Sequence, residues 1–208
     1  MHSHQKWLYL FVVSSLLILV TACSDKPELR PLPPGATILA LGDSLTYGTG
    51  VDKSNSYPTV LQTMTGVSVI NAGIPGETSA DVLRRLEHEL DAHQPDLVVL
   101  CVGGNDILQR KNPHTIERNI QQIIDTIKQQ NRQLVLLAVP EFGLFPTAPD
   151  YYQQLADKND VPLDNDTIPA VLRNPKLKSD PIHGNEAGYQ KIARSVFELL
   201  RNAGAINN

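Results

Sequence analysis

The stretch Ile38-Leu39-Ala40-Leu41-Gly42-Asp43-Ser44-Leu45 decides how this chain folds. Four aliphatic residues in succession read as a strand buried on both faces, the kind found inside parallel sheets. The glycine that ends the run lets the backbone turn sharply and lifts Ser44 above the sheet edge. In open α/β sheets the reactive crevice lies at the carboxyl ends of the strands, so a hydroxyl directly after the first strand is a candidate nucleophile. Taken alone, Gly42-Asp43-Ser44 reads more readily as a polar cap on a strand-to-helix turn, and the remaining sequence must decide between the two.

The same alternation repeats downstream. Val67 to Gly73 forms a second strand that also ends in glycine, and Leu97 to Val102, the most apolar run, forms a central third strand entering Gly103-Gly104-Asn105-Asp106. Leu134 to Val139 is a fourth strand stopped by Pro140, and a short fifth lies near Val161-Pro162-Leu163. Between them stand helical patterns. Val60, Leu61 and Met64 follow Pro58; Val82, Leu83, Leu86 and Leu90 form a stripe; Ile116, Ile120, Ile123, Ile124 and Ile127 follow Asn112-Pro113; a last helix spans about Asn185 to Asn202. Glu141 to Tyr152 reads as an irregular apolar and aromatic loop, either packed on the core or forming a wall against substrate. An alternating β/α chain predicts three layers around a mostly parallel sheet.

With 208 residues, the chain suits one domain plus a leader. A core of ~170 residues would bury about 70% of its unfolded surface and needs no staple. The net charge of −4 offers no basic field for nucleic acid. Lys6, the apolar run from Trp7 to Val20 and then Val20-Thr21-Ala22-Cys23 resemble a bacterial lipoprotein signal. The run is short for a bilayer crossing, which takes ~20 residues, so a cleaved leader over residues 1–22 is preferred to a membrane helix. By that resemblance Cys23 becomes the lipid-bearing first residue of a periplasmic protein. Ser24 after it favours the outer membrane over the inner one. Residues 23–35 then read as a lipidated, proline-rich tether, and residues 36–206 as the domain. Cys101 is left as the only other thiol and reads as a small buried hydrophobe.

The deciding words come late. Asp180-Pro181-Ile182-His183 sets a carboxylate and an imidazole three apart on one stiffened turn, so that the carboxylate can receive the ring N–H. Gly42-Asp43-Ser44-Leu45, Gly73, Gly103-Gly104-Asn105-Asp106 and Asp180-x-x-His183 together resemble the ordered blocks of the GDSL, or SGNH, hydrolase family. The closer likeness is to its periplasmic thioesterase/lysophospholipase and arylesterase branch. The resemblance implies a three-layer α/β/α sandwich on a flavodoxin-like, five-stranded parallel sheet. It also implies a catalytic set of Ser44, His183 and Asp180, and an oxyanion hole from the Ser44 and Gly73 N–H groups with the Asn105 amide. No metal or other cofactor is expected, and the chain is expected to act as a monomer on a small acyl ester or lipid.

Asp43, Glu77, Thr78, Phe142, Leu144 and Phe145 are expected to line the substrate site, with Asp43 and Asp106 also bracing their loops. The loop at 74–80 would stand beside the site. Three other readings compete. A carbohydrate O-acetylesterase would use the same residues; a non-catalytic envelope lipoprotein would bind an acylated ligand but has no use for a nucleophile and base. A metal phosphoesterase needs more converging histidines than His88, His93, His114 and His183 supply. Gly48-Thr49-Gly50 lacks the Gly-Lys-Ser/Thr end of a phosphate-binding loop.

Overall fold

Ile38, Leu39, Ala40 and Leu41 are fully buried. A computed structural model of the chain, describing residues 27–143 and 146–206, places them in strand β1, Thr37–Gly42. On one side lies β2, Ser68–Gly73; on the other β3, Leu97–Cys101, then β4, Gln133–Leu137, and β5, Leu163–Asp164. The order is β2-β1-β3-β4-β5 and every pair is parallel. The expected five-stranded parallel sheet is therefore present, with β3 as buried as its composition required.

Register matters for the site. Gly42 lies opposite Gly73 on one side and Cys101 on the other, so three strands end level and release their next residues at one edge. Gly42 is needed there for space. A Cβ at this position would stand 2.1 Å from the Cys101 carbonyl oxygen and 2.5 Å from Thr46 Oγ1.

Helices follow each strand: α1, Ser44–Tyr47; α2, Tyr57–Thr65; α3, Ser79–His93; α4, Gly104–Leu108; α5, Pro113–Gln129. Three more complete the chain: α6, Tyr151–Asn159; α7, Thr167–Arg173; α8, Glu186–Asn202. Helix α2 packs with α8 on one face of the sheet, and α3 packs with α5 on the other. The isoleucine stripe of α5 is buried along its whole length, and each such side chain contributes ~1.5–3 kcal/mol on leaving water. Among the described residues no helix is long and apolar enough to cross a membrane.

Three expectations need correction. Strand β4 stops at Leu137, two residues before the expected end, although Ala138 and Val139 remain buried. Helices α6 and α7 were not anticipated: α6 follows a stretch dense in proline and aromatics, and Pro169 interrupts the pattern of α7 while standing in its first turn, where its missing N–H costs nothing. The tether is the third. Its residues 29–32 do not hang free: they lie hydrogen-bonded along the domain, with Leu29 and Leu32 packed on the core. The leader and Cys23 lie outside the described residues.

Candidate active site

Asp43 ends the turn after β1 by accepting the Leu45 N–H on Oδ1 at 3.0 Å, which caps α1 and sets Ser44 at its first position. At the other end of the chain, the loop before α8 is closed on itself. Ser179 N–H donates to the His183 carbonyl at 3.0 Å, and Lys178 and Gly184 form an antiparallel bridge. Asn185 caps α8 by accepting the Gly188 N–H at 3.1 Å. The Tyr189 hydroxyl then donates to the Thr49 carbonyl at 2.8 Å, joining α8 to the loop after the serine.

This brings Ser44 and His183, 139 positions apart, to an Nε2···Oγ distance of 2.9 Å. His183 Nδ1 lies 2.7 Å from Asp180 Oδ2, while Asp180 Oδ1 accepts the Ile182 and His183 backbone N–H groups at 2.8 and 2.9 Å. Partial burial alone would raise the Asp180 carboxyl; the His183 ring and these two N–H groups outweigh it and hold the group below its ordinary value. An ionised Asp180 accepts Nδ1–H, leaving the Nε2 lone pair to receive the serine proton.

The three expected oxyanion donors converge on the same edge, and two of them are engaged. Gly73 N–H donates to Asn71 Oδ1 at 3.0 Å. Asn105 Nδ2 donates to the Glu77 carbonyl at 2.8 Å and lies 3.4 Å from Asp43 Oδ2. The Ser44 N–H, first in its helix, has no intrahelical partner. Gly73 is fixed by crowding: a Cβ there would lie 2.2 Å from Tyr47 N.

Of the residues expected to touch substrate, Glu77 and Thr78 are engaged by α3, and Asp43 reaches the recess beside Ser44 only from below. Asp43 is 2% exposed and sits beneath Ser44, where burial lifts its carboxyl to about 7 against the Leu45 hydrogen bond; Asp106 and Glu77 add to the rise. Thr78 is buried and gives its hydroxyl to Asp81 Oδ2 at 2.6 Å, serving the start of α3. Glu77 spends its carboxylate on Arg85 Nε at 2.8 Å. Phe142 and Asp43 line a shallow recess of about 10 Å³ with Ser44, Asn105, Leu108, Ile182 and His183. Leu144 and Phe145 lie outside the described residues. A larger recess of about 240 Å³, between α6, β5 and α8, does not adjoin Ser44.

Sequence reading missed Arg85, Asn71 and the role of Ser79. Arg85 Nη2 donates to the Gly42 and Ala72 carbonyls at 3.2 and 2.7 Å, clasping the ends of β1 and β2 while its Nε holds Glu77. Its place off the apolar stripe of α3, with Glu89 one turn on, gave only the signal of a surface ion pair. Asp106, expected as a brace, is one: fully buried, it accepts Ser79 N–H at 2.6 Å and Ser79 Oγ–H at 2.8 Å.

Comparison with known proteins gives the same family. The chain is 32% identical to the thioesterase 1/protease 1/lysophospholipase L1 of Escherichia coli (strain K12) over 173 residues, 79% of this chain and 83% of the relative. It is 31% identical to the arylesterase of Vibrio mimicus over 174 residues, 78% of this chain and 87% of the relative. The crystal structure of TesA superposes with a TM-score of 0.72 at 25% identity, covering 80% of this chain and 99% of that one. Residues 40–191 match the model of the GDSL-like lipase/acylhydrolase family. By sequence, fold and matched span, the chain belongs to the GDSL-like lipase/acylhydrolase family and is an ester hydrolase.

Proposed function

We propose that the chain cleaves acyl esters or thioesters through an acyl-enzyme on Ser44, with His183 as base and acid and Asp180 as the group that orients it. The observation that carries this is the continuous relay from Asp180 Oδ2 through the imidazole to Ser44 Oγ, at 2.7 and 2.9 Å. Ser44 Oγ attacks the acyl carbonyl while its proton passes to His183 Nε2. The imidazolium formed is held by the Asp180 carboxylate. Collapse of the tetrahedral adduct expels the alcohol or thiol, which takes the proton from Nε2. Water then attacks the acyl-serine by the same proton path, releasing the acid and restoring the serine.

The oxyanion is received by the Ser44 and Gly73 N–H groups and Asn105 Nδ2. Gly73 and Asn105 exchange neutral oxygen partners, Asn71 Oδ1 and the Glu77 carbonyl, for a charged one, and hydrogen bonds to an ionised acceptor are about twice as strong. The gain therefore appears mainly in the transition state.

The reading extends to a periplasmic enzyme held by acyl chains on Cys23, at the outer rather than the inner membrane, acting as a monomer on a small ester or lipid. A second reading, O-deacetylation of a carbohydrate, is favoured by the small recess beside Ser44, which suits a short acyl group. A panel of p-nitrophenyl esters of increasing chain length, with acetylated xylan and lysophospholipid alongside, tests both. Turnover that rises beyond butyrate supports the acyl-ester reading, turnover restricted to acetate supports the second, and undiminished turnover in Ser44→Ala contradicts both.

A further inference from the structure

Residues 29–32 are bound to the floor of the domain rather than hanging from it. Leu29 N–H donates to the Ala203 carbonyl at 2.7 Å and Leu32 N–H to that of Ala205 at 2.8 Å. The Arg30 backbone exchanges two hydrogen bonds with the Gln133 side chain, and its guanidinium reaches the Asn131 carbonyl at 3.0 Å. Both leucines pack against the core. These partners lie at the end of α8 and the start of β4, the amino-terminal edge of the sheet. Ser44 stands at the opposite edge, beyond the carboxyl end of β1. The six residues of β1, at ~3.3 Å each, put about 20 Å between the two edges.

Only six steps of chain separate Cys23 from Leu29, a reach of at most ~20–22 Å when fully extended. An acyl group on Cys23 would thus hold the floor near the bilayer, and turning the site toward the lipid would require peeling the strap away. The floor carries charges of both signs, as a surface that meets lipid headgroups does, with Asp91 and Asp96 at the same edge. Arg30, Lys128 and Arg132 line one recess there, their hydrogen-bond partners are neutral groups of Asn131, Asn159 and Gln94, and none is ion-paired among the described residues. Glu28 and Asp160 share its rim.

We propose that this floor is the surface that faces the anchoring phospholipid bilayer, so that Ser44 points away from the membrane and takes dispersed ester molecules from the aqueous phase. The proposal rests on the reading of Cys23 as acylated and of Ser44 as the nucleophile.

The test uses the full lipidated chain in vesicles of phosphatidylcholine and phosphatidylglycerol. A fluorophore is attached at Asp91→Cys, on the floor at the end of α3, or at Leu108→Cys, on the rim of the site. Cys101 is buried, and Cys23 carries the lipid, so the new thiol alone reacts. A nitroxide on the lipid headgroups should quench the Asp91→Cys probe several-fold more than the Leu108→Cys probe; equal or reversed quenching overturns the orientation.

A second arm compares p-nitrophenyl butyrate in solution with a long-chain ester embedded in the same vesicles. Inserting ~20 Gly and Ser residues between Ser24 and Pro27 should raise hydrolysis of the embedded ester at least about tenfold and leave the soluble one unchanged. No change in the embedded rate overturns the proposal. Failure of the chain to float with vesicles overturns it together with the anchor. Loss of turnover on both esters with the quenching pattern intact removes the nucleophile reading and leaves the membrane-facing floor supported.

Discussion

Asp43 sits directly beneath Ser44, and burial, with Asp106 and Glu77 adding to it, lifts its carboxyl from 3.8 to about 7. The folded protein therefore holds this proton more tightly than the unfolded chain does. The stabilisation is complete below about pH 4 and is lost as pH rises toward 7, with a slope of about 1.4 kcal/mol per pH unit. The unfolding free energy of wild type relative to Asp43→Asn, followed by urea melts from pH 4 to 8, should fall with that slope and flatten above 7. A pH-independent difference would contradict the assignment. Asp180 has the opposite sign: its lowered carboxyl stabilises above its ordinary range and ceases to do so in acid. If the Asn105 amide serves the oxyanion as proposed, Asn105→Ala should lower kcat by about 10²–10³ with little change in KM. A rise in KM alone would assign it to substrate binding.

Among the elements, the junctions between strand and helix carry the site, and α3 controls two of them. Arg85 reaches back from α3 to carbonyls at the ends of β1 and β2 and to Glu77, with about 15% of its side chain exposed. Arg85→Met would leave the Glu77 carboxylate unpaired and two carbonyls without that donor, a loss of about 2–4 kcal/mol. It should also lower kcat, because the Glu77 carbonyl that holds Asn105 would shift. Arg85→Lys should recover little, since one ammonium cannot reach Glu77, Glu89 and two carbonyls that a planar fork spans. Thermal melts and steady-state rates of the two variants check this, and a wild-type Tm in Arg85→Met would refute the clasp. None of it was legible in one dimension. The strands and the stripes of α3 and α5 were, because buried parallel strands read as unbroken aliphatic runs and buried helix faces as a 3.6-residue period. A long polar side chain that reaches across the edge of a sheet leaves no such period.

At the scale of the whole molecule, the relay between Ser44 and His183 depends on the first strand and the last helix meeting at one edge. That much followed from the β/α alternation, since every parallel strand delivers its carboxyl end to the same side. What did not follow was which residues on those loops face outward. Asp43, Glu77 and Thr78 carry polar groups that bond inward: Asp43 meets Asn105 from a distant loop, while Thr78 and Glu77 turn to Asp81 and Arg85 of the helix that follows them. The strap at 29–32 was hidden for a related reason: its prolines suggest an extended tether, and extended chain docks as readily as it dangles. The double substitution of Leu29 and Leu32 to Ser should cost about 2–3 kcal/mol by urea unfolding and leave kcat near wild type; an unchanged midpoint would mean the strap contributes nothing.

The most direct measurement is mass-spectrometric mapping of a fluorophosphonate adduct on the wild-type chain and on His183→Ala. One adduct on Ser44, formed at a rate that collapses in His183→Ala, is the expected result. An adduct elsewhere, or Ser44 labelled at an undiminished rate without the imidazole, would contradict the relay.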